Sequence, residues 1–199
     1  MSDETTTGLN HRKLLMWVFL GSDCMFFASL IGTYLIYKGS GVAHPGPADV
    51  FDIPTTSVST FVLLMSSMSM VFSYAYLVRD NIKAFRIWLL STMIMGSTFL
   101  GFQVFEFSEF YFHDHLSPQT NLFGTTFYAL TGTHGLHVTI GVIWLGIIFY
   151  SSLFRNTVTS KTNLDLDLAA LYWHFVDIVW IVIFAVVYLF GTFTGFPAS

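Results

Sequence analysis

The chain has 199 residues, of which 54% are hydrophobic and only 10% are charged, and its formal net charge is -4. A soluble domain usually has about 25% charged residues, so this composition is typical of a helical integral membrane protein. The small negative charge argues against nucleic-acid binding. Cys24 is the only cysteine, which excludes a disulfide framework and a thiolate cluster for zinc or iron–sulfur.

The first thirteen residues are polar and are followed by five apolar runs. Residues 1–13 have no apolar core and no small-residue cleavage site, so we expect a polar tail and not a signal peptide. A membrane-spanning helix needs about 20 apolar residues. The runs that meet this length are 14–37, 54–78, 84–112, 122–154 and 168–194. The sequence therefore predicts an all-α polytopic membrane protein, a single transmembrane domain of five helices.

The connections between the predicted spans are short, so neighbouring helices are expected to be antiparallel. Residues 39–51 are rich in glycine and proline and are interpreted as a loop. Of the eight lysines and arginines, all but Lys38 fall on one side of the predicted membrane. They are Arg12 and Lys13, then Arg79, Lys83 and Arg86, then Arg155 and Lys161. Because positive residues favour the cytoplasmic side, the N-terminus is predicted to be cytoplasmic and the C-terminus external.

Ionisable residues inside the apolar runs are the first candidates for function. A charge in hydrocarbon is costly, so such residues face other helices, water or a bound polar ligand. They form three pairs at i, i+3 spacing, which lie on one helical face, and one isolated acid. The pairs are Glu106/Glu109, His134/His137 and His174/Asp177, and the isolated acid is Asp23.

Two interpretations of these residues remain open, a metal site or proton relay and hydrogen bonds that cross-link helices. The Glu-x-x-His motif of di-metal bundles is absent, and the pairs on spans three and five lie at opposite depths, so no metal, cofactor or catalytic residue is predicted. The two histidine-containing pairs fit interhelical hydrogen bonding, and Glu106/Glu109 fit a solvated outer end.

Asp23 is expected about 13 Å into the membrane. Its predicted span contains no basic residue. It must therefore find a partner, stay protonated or contact water, which favours a role at a proton or lipid site.

Two motifs are specific, His-Gly-Leu-His within residues 123–144 and Trp-His-Phe-x-Asp-x-x-Trp within residues 171–191. With them, several runs resemble, in order and over nearly the whole chain, subunit III of haem-copper terminal oxidases in its five-helix bacterial form. Residues 17–37, 63–70 and 101–111 are similar to the family's other helices. One departure is Asp23, where the family usually has Glu.

The resemblance implies a non-catalytic subunit of a proton-translocating oxidase that reduces oxygen to water in the bacterial plasma membrane. Haem and copper are expected in partner subunits and none on this chain. The expected partners are subunits I and II, a small subunit IV and membrane phospholipids, with no nucleic acid.

The family further implies two helix groups with a lipid-holding cleft between them, here helices one and two against helices three to five. The chain is expected to stabilise subunit I, to bind phospholipid and to support proton uptake. The candidate residues for the proton or lipid site are Asp23, Glu106, His134, His137, His174 and Asp177.

The electron donor and one other class of protein stay open. Gln103, the FGTTFY run and His-Phe-Val-Asp-Ile-Val are similar to cytochrome c oxidases, which is the favoured interpretation. Ser-Asp-Cys at 22–24 and Gly-Thr-His at 132–134 are similar to quinol oxidases. A stand-alone ion or proton transporter is the alternative of a different class.

Overall fold

The computed structural model describes residues 10–37, 53–112, 122–154 and 163–190. These residues form five long helices and, within the described ranges, no strand. The helices are α1 (His11–Tyr37), α2 (Ile53–Val78), α3 (Ile82–Phe112), α4 (Leu122–Phe154) and α5 (Leu164–Ile183), which continues as a π-helical turn (Phe184–Leu189). Each is long and apolar enough to cross a membrane. The predicted all-α polytopic class is confirmed.

The helices α1 and α5 begin earlier than hydropathy predicts, at His11 and Leu164 instead of 14 and 168. Hydropathy misses the polar first turns. Asp165 and Asp167 lie in the first turn of α5, where acidic side chains interact favourably with the helix dipole. The predicted loop at 39–51, the predicted end at 194, and Lys38, Arg155 and Lys161 lie outside the described residues.

The helices α2 and α3 form the most extensively packed pair of the described bundle. They are joined by a tight turn at Asp80, whose φ of 56° lies in the left-handed region that Asp tolerates. Ser69 Oγ on α2 donates to the Trp88 carbonyl on α3 at 2.9 Å. Small side chains along α2 thus allow close approach of the two helices.

The other helices are arranged so that α1 and α2 flank α5. The helix α4 packs on α3 and α5, α1 packs on α4 and α5, and α2 packs on α5 as well as on α3. The expected grouping of helices one and two against three to five is therefore wrong for the described helices. The reason is that the tight turn pairs α2 with α3, whereas α1 is anchored to α5.

Trp173 on α5 fills the centre of the bundle. Its indole lies between two glycines: a Cβ at Gly96 on α3 would lie 2.6 Å from its ring, and one at Gly141 on α4 would lie 2.9 Å away. Its Nε1 donates to Ser66 Oγ on α2 at 3.0 Å. One buried side chain thus joins four helices through van der Waals packing and an interhelical hydrogen bond.

Two ion pairs join the first turns of α1 and α5. Arg12 Nη2 lies 2.8 Å from Asp165 Oδ1, and Lys13 Nζ lies 2.7 Å from Asp167 Oδ2. These contacts bring the N-terminal ends of α1 and α5 to the same end of the bundle. That arrangement is what five successive antiparallel spans require.

Candidate functional site in the helix bundle

Asp23 on α1 faces His137 on α4. Asp23 is only 8% exposed, and its Oδ1 lies 3.4 Å from His137 Nε2. The other ring nitrogen, Nδ1, lies 2.8 Å from the Thr133 carbonyl. A carbonyl only accepts, so Nδ1 carries a hydrogen and donates it. The contact between Nε2 and Oδ1 is then favourable when one further proton is held between the acid and the imidazole.

The surroundings of this contact, here called the Asp23 pair, are largely apolar. Tyr172 on α5 donates its hydroxyl to the His137 carbonyl at 3.0 Å, and the Phe27 ring meets the His137 ring edge-on at 5.0 Å. Within the described ranges, Asp23 Oδ2 is buried without a hydrogen-bond partner. Because water is largely excluded, attraction between the two groups is screened less than at a surface.

A second cluster, here called the Ser67 chain, joins α2 to α5. Ser67 Oγ lies 2.9 Å from His174 Nδ1 and donates to Asp177 Oδ2. Asp177 is 3% exposed, and its Oδ1 has no hydrogen-bond partner among the described residues. The sequence singled out His174 and Asp177 but not Ser67, because a serine in an apolar helix usually bonds its own backbone.

A third cluster, here called the Glu106 cluster, joins α2, α3 and α5 near the opposite end. Glu106 Oε1 accepts from Thr56 Oγ1 at 2.9 Å, and Oε2 accepts from the Tyr188 hydroxyl at 3.2 Å. Tyr188 belongs to the π-helical turn, a feature often found at functional sites. Glu109, by contrast, is exposed. The two acids of this pair thus have different environments.

His134 is separated from His137 although both lie on α4. His134 is fully buried and stacks on Trp180 with ring centroids 4.8 Å apart. Neither of its ring nitrogens has a hydrogen-bond partner in the described part of the chain. The interhelical hydrogen bond expected for His134 is therefore not found there, and packing holds the ring in place.

Two grooves flank α5 and meet at His174. One, of about 340 Å³, lies between α1 and α5 and is lined by Trp17, Cys24 and His174 among others. The other, of about 190 Å³, lies between α2 and α5 and includes Tyr74 and Asp167. Because His174 lines both grooves, it lies on the surface of α5 between the groove beside α1 and the groove beside α2.

The described side chains do not converge as a metal centre. Among residues 10–37, 53–112, 122–154 and 163–190, no three His, Cys, Asp or Glu side chains are placed to hold one metal ion. The polar groups instead occupy three separate hydrogen-bonded or ion-paired clusters.

Five apolar helices with acids and imidazoles buried between them define the class, a helical-bundle membrane protein with titratable groups in its interior. Residues 3–192 match the family cytochrome c oxidase subunit III. The chain belongs to this family of haem-copper oxidase third subunits, as its motifs predicted. Membership decides against a stand-alone transporter.

Curated relatives of two kinds are similar to the chain. Cytochrome c oxidase subunit 3 of Bacillus sp. (strain PS3) is 37% identical over 94% of this chain and 89% of its own length. Cytochrome bo(3) ubiquinol oxidase subunit 3 of Pseudomonas putida is 36% identical over 88% and 84%. Quinol oxidase subunit 3 of Bacillus subtilis (strain 168) is 35% identical over 88% and 85%. Subunits from both oxidase types thus match at similar identity.

Proposed function

We propose that this third subunit supports proton uptake by the oxidase and stabilises its catalytic subunit, and that it carries no redox centre itself. The observation that supports this most is the Asp23 pair, a buried acid on α1 and a half-buried imidazole on α4 that lie 3.4 Å apart. While one further proton is held between Nε2 and Oδ1, the charge of the acid is not left unpaired in hydrocarbon.

The position of α1 supports contact with a partner close to this pair. Only 17% of the apolar stretch of α1 is buried within the chain, against 44% for α5. Its outer face carries large apolar side chains that are exposed, among them Leu15, Met25 and Phe26. We infer that subunits I and II, which would hold haem and copper, a small subunit IV and phospholipids cover such surfaces.

Cytochrome c is the proposed electron donor of the complex. A cytochrome c oxidase subunit is 37% identical to this chain, whereas two quinol oxidase subunits are 36% and 35% identical, and this small difference favours cytochrome c. A quinol donor is the second candidate because those relatives are almost as similar. Oxygen uptake by the purified complex with reduced cytochrome c or with a quinol distinguishes the two.

The test of the proposed function is replacement of Asp23 in the assembled oxidase. Asp23→Ala removes the acid facing His137, so sustained oxygen uptake is expected to fall, most at alkaline pH where proton supply limits turnover. Asp23→Glu keeps an acid and should behave nearly as the unmodified protein. Haem spectra and subunit content serve as assembly controls. Unchanged turnover and inactivation in Asp23→Ala would make Asp23 a packing residue.

A further inference from the structure

The Ser67 chain connects a groove to a buried acid. A serine hydroxyl has one hydrogen, and Ser67 gives it to Asp177. The 2.9 Å contact with His174 Nδ1 is then a bond in which the imidazole donates to Ser67 Oγ. In this arrangement Nε2 is the unprotonated ring nitrogen of a neutral His174 and is available to accept a proton.

The two ends of the Ser67 chain, His174 and Asp177, differ in their access to the grooves. His174 is half-buried and lines the grooves on both sides of α5. Asp167, two helical turns before His174, lines the α2–α5 groove with it and is bonded to Lys13 at the end of the bundle. Asp177 is buried at the other end of the chain, where its Oδ1 meets no hydrogen-bond partner among the described residues.

We propose that His174, Ser67 and Asp177 form a proton-loading site that takes up one proton from a groove that His174 lines and stores it on Asp177. A proton binds Nε2 of His174, Nδ1 gives its hydrogen to Ser67 Oγ, and Ser67 gives its original hydrogen to Asp177 Oδ2. Three bonds to hydrogen form and two break, which accounts for the one proton added. The imidazole ends neutral with its hydrogen on Nε2, and the acid ends protonated.

Reversal of the same shift returns the proton to the groove. Both directions use hydrogen bonds that already exist, with the hydroxyl donating either to Asp177 or, after the shift, to His174 Nδ1. The site is therefore a reservoir that is filled and emptied through His174, and it uses other residues than the Asp23 pair, which joins α1 to α4.

Around the Ser67 chain, the hydrogen bond from Ser67 is the contact that stabilises a deprotonated Asp177 among the described residues. On α1 and α2 the titratable groups lining the grooves beside His174 are Cys24 and Tyr74, and on α5 it is Asp167. On α4, His134 stacks on Trp180 and His137 faces Asp23. On α3, Gly96 and Phe99 lie against the indoles of α5, and neither residue titrates. Within the described residues no lysine or arginine contacts Asp177.

Infrared spectroscopy of the assembled oxidase tests the proposal. The carbonyl band of a protonated carboxylic acid shifts when its hydrogen is exchanged for deuterium. The part of this band that is lost in Asp177→Asn is assigned to Asp177 over a series of pH values. Transfer of the complex into heavy water then gives the exchange rate of the Asp177 proton.

The decisive variant is Ser67→Ala, which keeps both titratable groups and removes the link. Exchange at Asp177 should slow by about a hundredfold, the lower end of what a positioned side chain supplies in proton transfer. Ser67→Thr keeps a hydroxyl and should restore exchange. Ser57→Ala is the matched control, since Ser57 Oγ donates to the Ile53 carbonyl of its own helix. In this variant the exchange rate at Asp177 should be unchanged.

Three results would overturn the proposal: exchange in Ser67→Ala as fast as in the unmodified complex, equal slowing in Ser57→Ala, or no band assignable to Asp177 at any pH. The proposal specifies how the subunit would support proton uptake, and its physiological role rests on that proposed function. The infrared measurement reads protonation and not turnover. Its failure is therefore distinct from a failure of the Asp23 test.

Discussion

Trp173 shows how single residues set the spacing of the helices. The indole is enclosed by glycines from α3 and α4, and a methyl group at either glycine would come closer than 3.0 Å to it. A rigid aromatic ring held on two sides cannot move away without shifting α5. Interfaces of this kind depend on small residues that let helices approach closely.

Gly141→Ala is therefore expected to destabilise the bundle by about 1–3 kcal/mol, the usual cost of overpacking a filled interior. Heating the assembled oxidase and measuring the temperature at which this subunit is lost checks it. Gly132→Ala is the control on the same helix, because a Cβ there has nothing within 4 Å. The control should be neutral or stabilise the helix by up to about 1 kcal/mol, since Ala favours helix over Gly. Equal losses of stability in Gly141→Ala and Gly132→Ala would contradict the claim that Trp173 sets the helix spacing.

The candidate residues illustrate what sequence reasoning reaches and what it does not. Each was found because an ionisable group in hydrocarbon is conspicuous. The partners of these groups were not found, because the i, i+3 rule gives the face of one helix and not the neighbour opposite it. His137 meets Asp23 while His134 stacks on Trp180. Ser67 had no distinguishing signal.

At the scale of whole elements, the number and position of the helices followed from hydropathy, but their neighbours did not. The five helices are apolar on most of their surface, so no single apolar stripe indicates which face is inside. Short connections predicted antiparallel neighbours, but the predicted grouping placed α2 with α1 and not with α3. The position of α1 against α4 and α5 depends on tertiary contacts that no local pattern encodes.

The two ion pairs between α1 and α5 differ in exposure, and this predicts a difference in their effect. The Arg12 and Asp165 side chains are 64% and 61% exposed, whereas those of Lys13 and Asp167 are 34% and 24% exposed. Lys13→Gln should weaken the attachment of α1 to α5 by about 1 kcal/mol, the largest contribution usual for a surface ion pair. Arg12→Gln should have an effect close to zero, because its ion pair is more exposed. Subunit retention on heating at low and high salt measures both.

A charge exchange separates this pairing from a general effect of charge. Lys13→Asp combined with Asp167→Lys should recover most of the retention lost in either single variant. Equal losses in Lys13→Gln and Arg12→Gln, with no recovery in the double variant, would argue that the ion pair with Asp167 does not attach α1.

For the molecule as a whole, the distribution of positive residues predicts the orientation in the membrane. Arg12 and Lys13 lie at the end of the bundle where α1 and α5 begin, and most other basic residues fall on the same side in the sequence. A reporter fused after residue 199 should be active only outside the cytoplasm. A cytoplasmic reporter would contradict five spans with the N-terminus inside.

The central claim is that this subunit supports proton uptake and stabilises the catalytic subunit but does not itself catalyse oxygen reduction. The most direct measurement compares the oxidase purified with this chain and without it, following haem absorption and oxygen uptake over time at several pH values. We predict unchanged haem spectra, oxygen reduction that continues, and a loss of sustained rate that is largest at alkaline pH. Loss of haem absorption, or complete loss of oxygen reduction in a complex that retains its other subunits, would contradict the account.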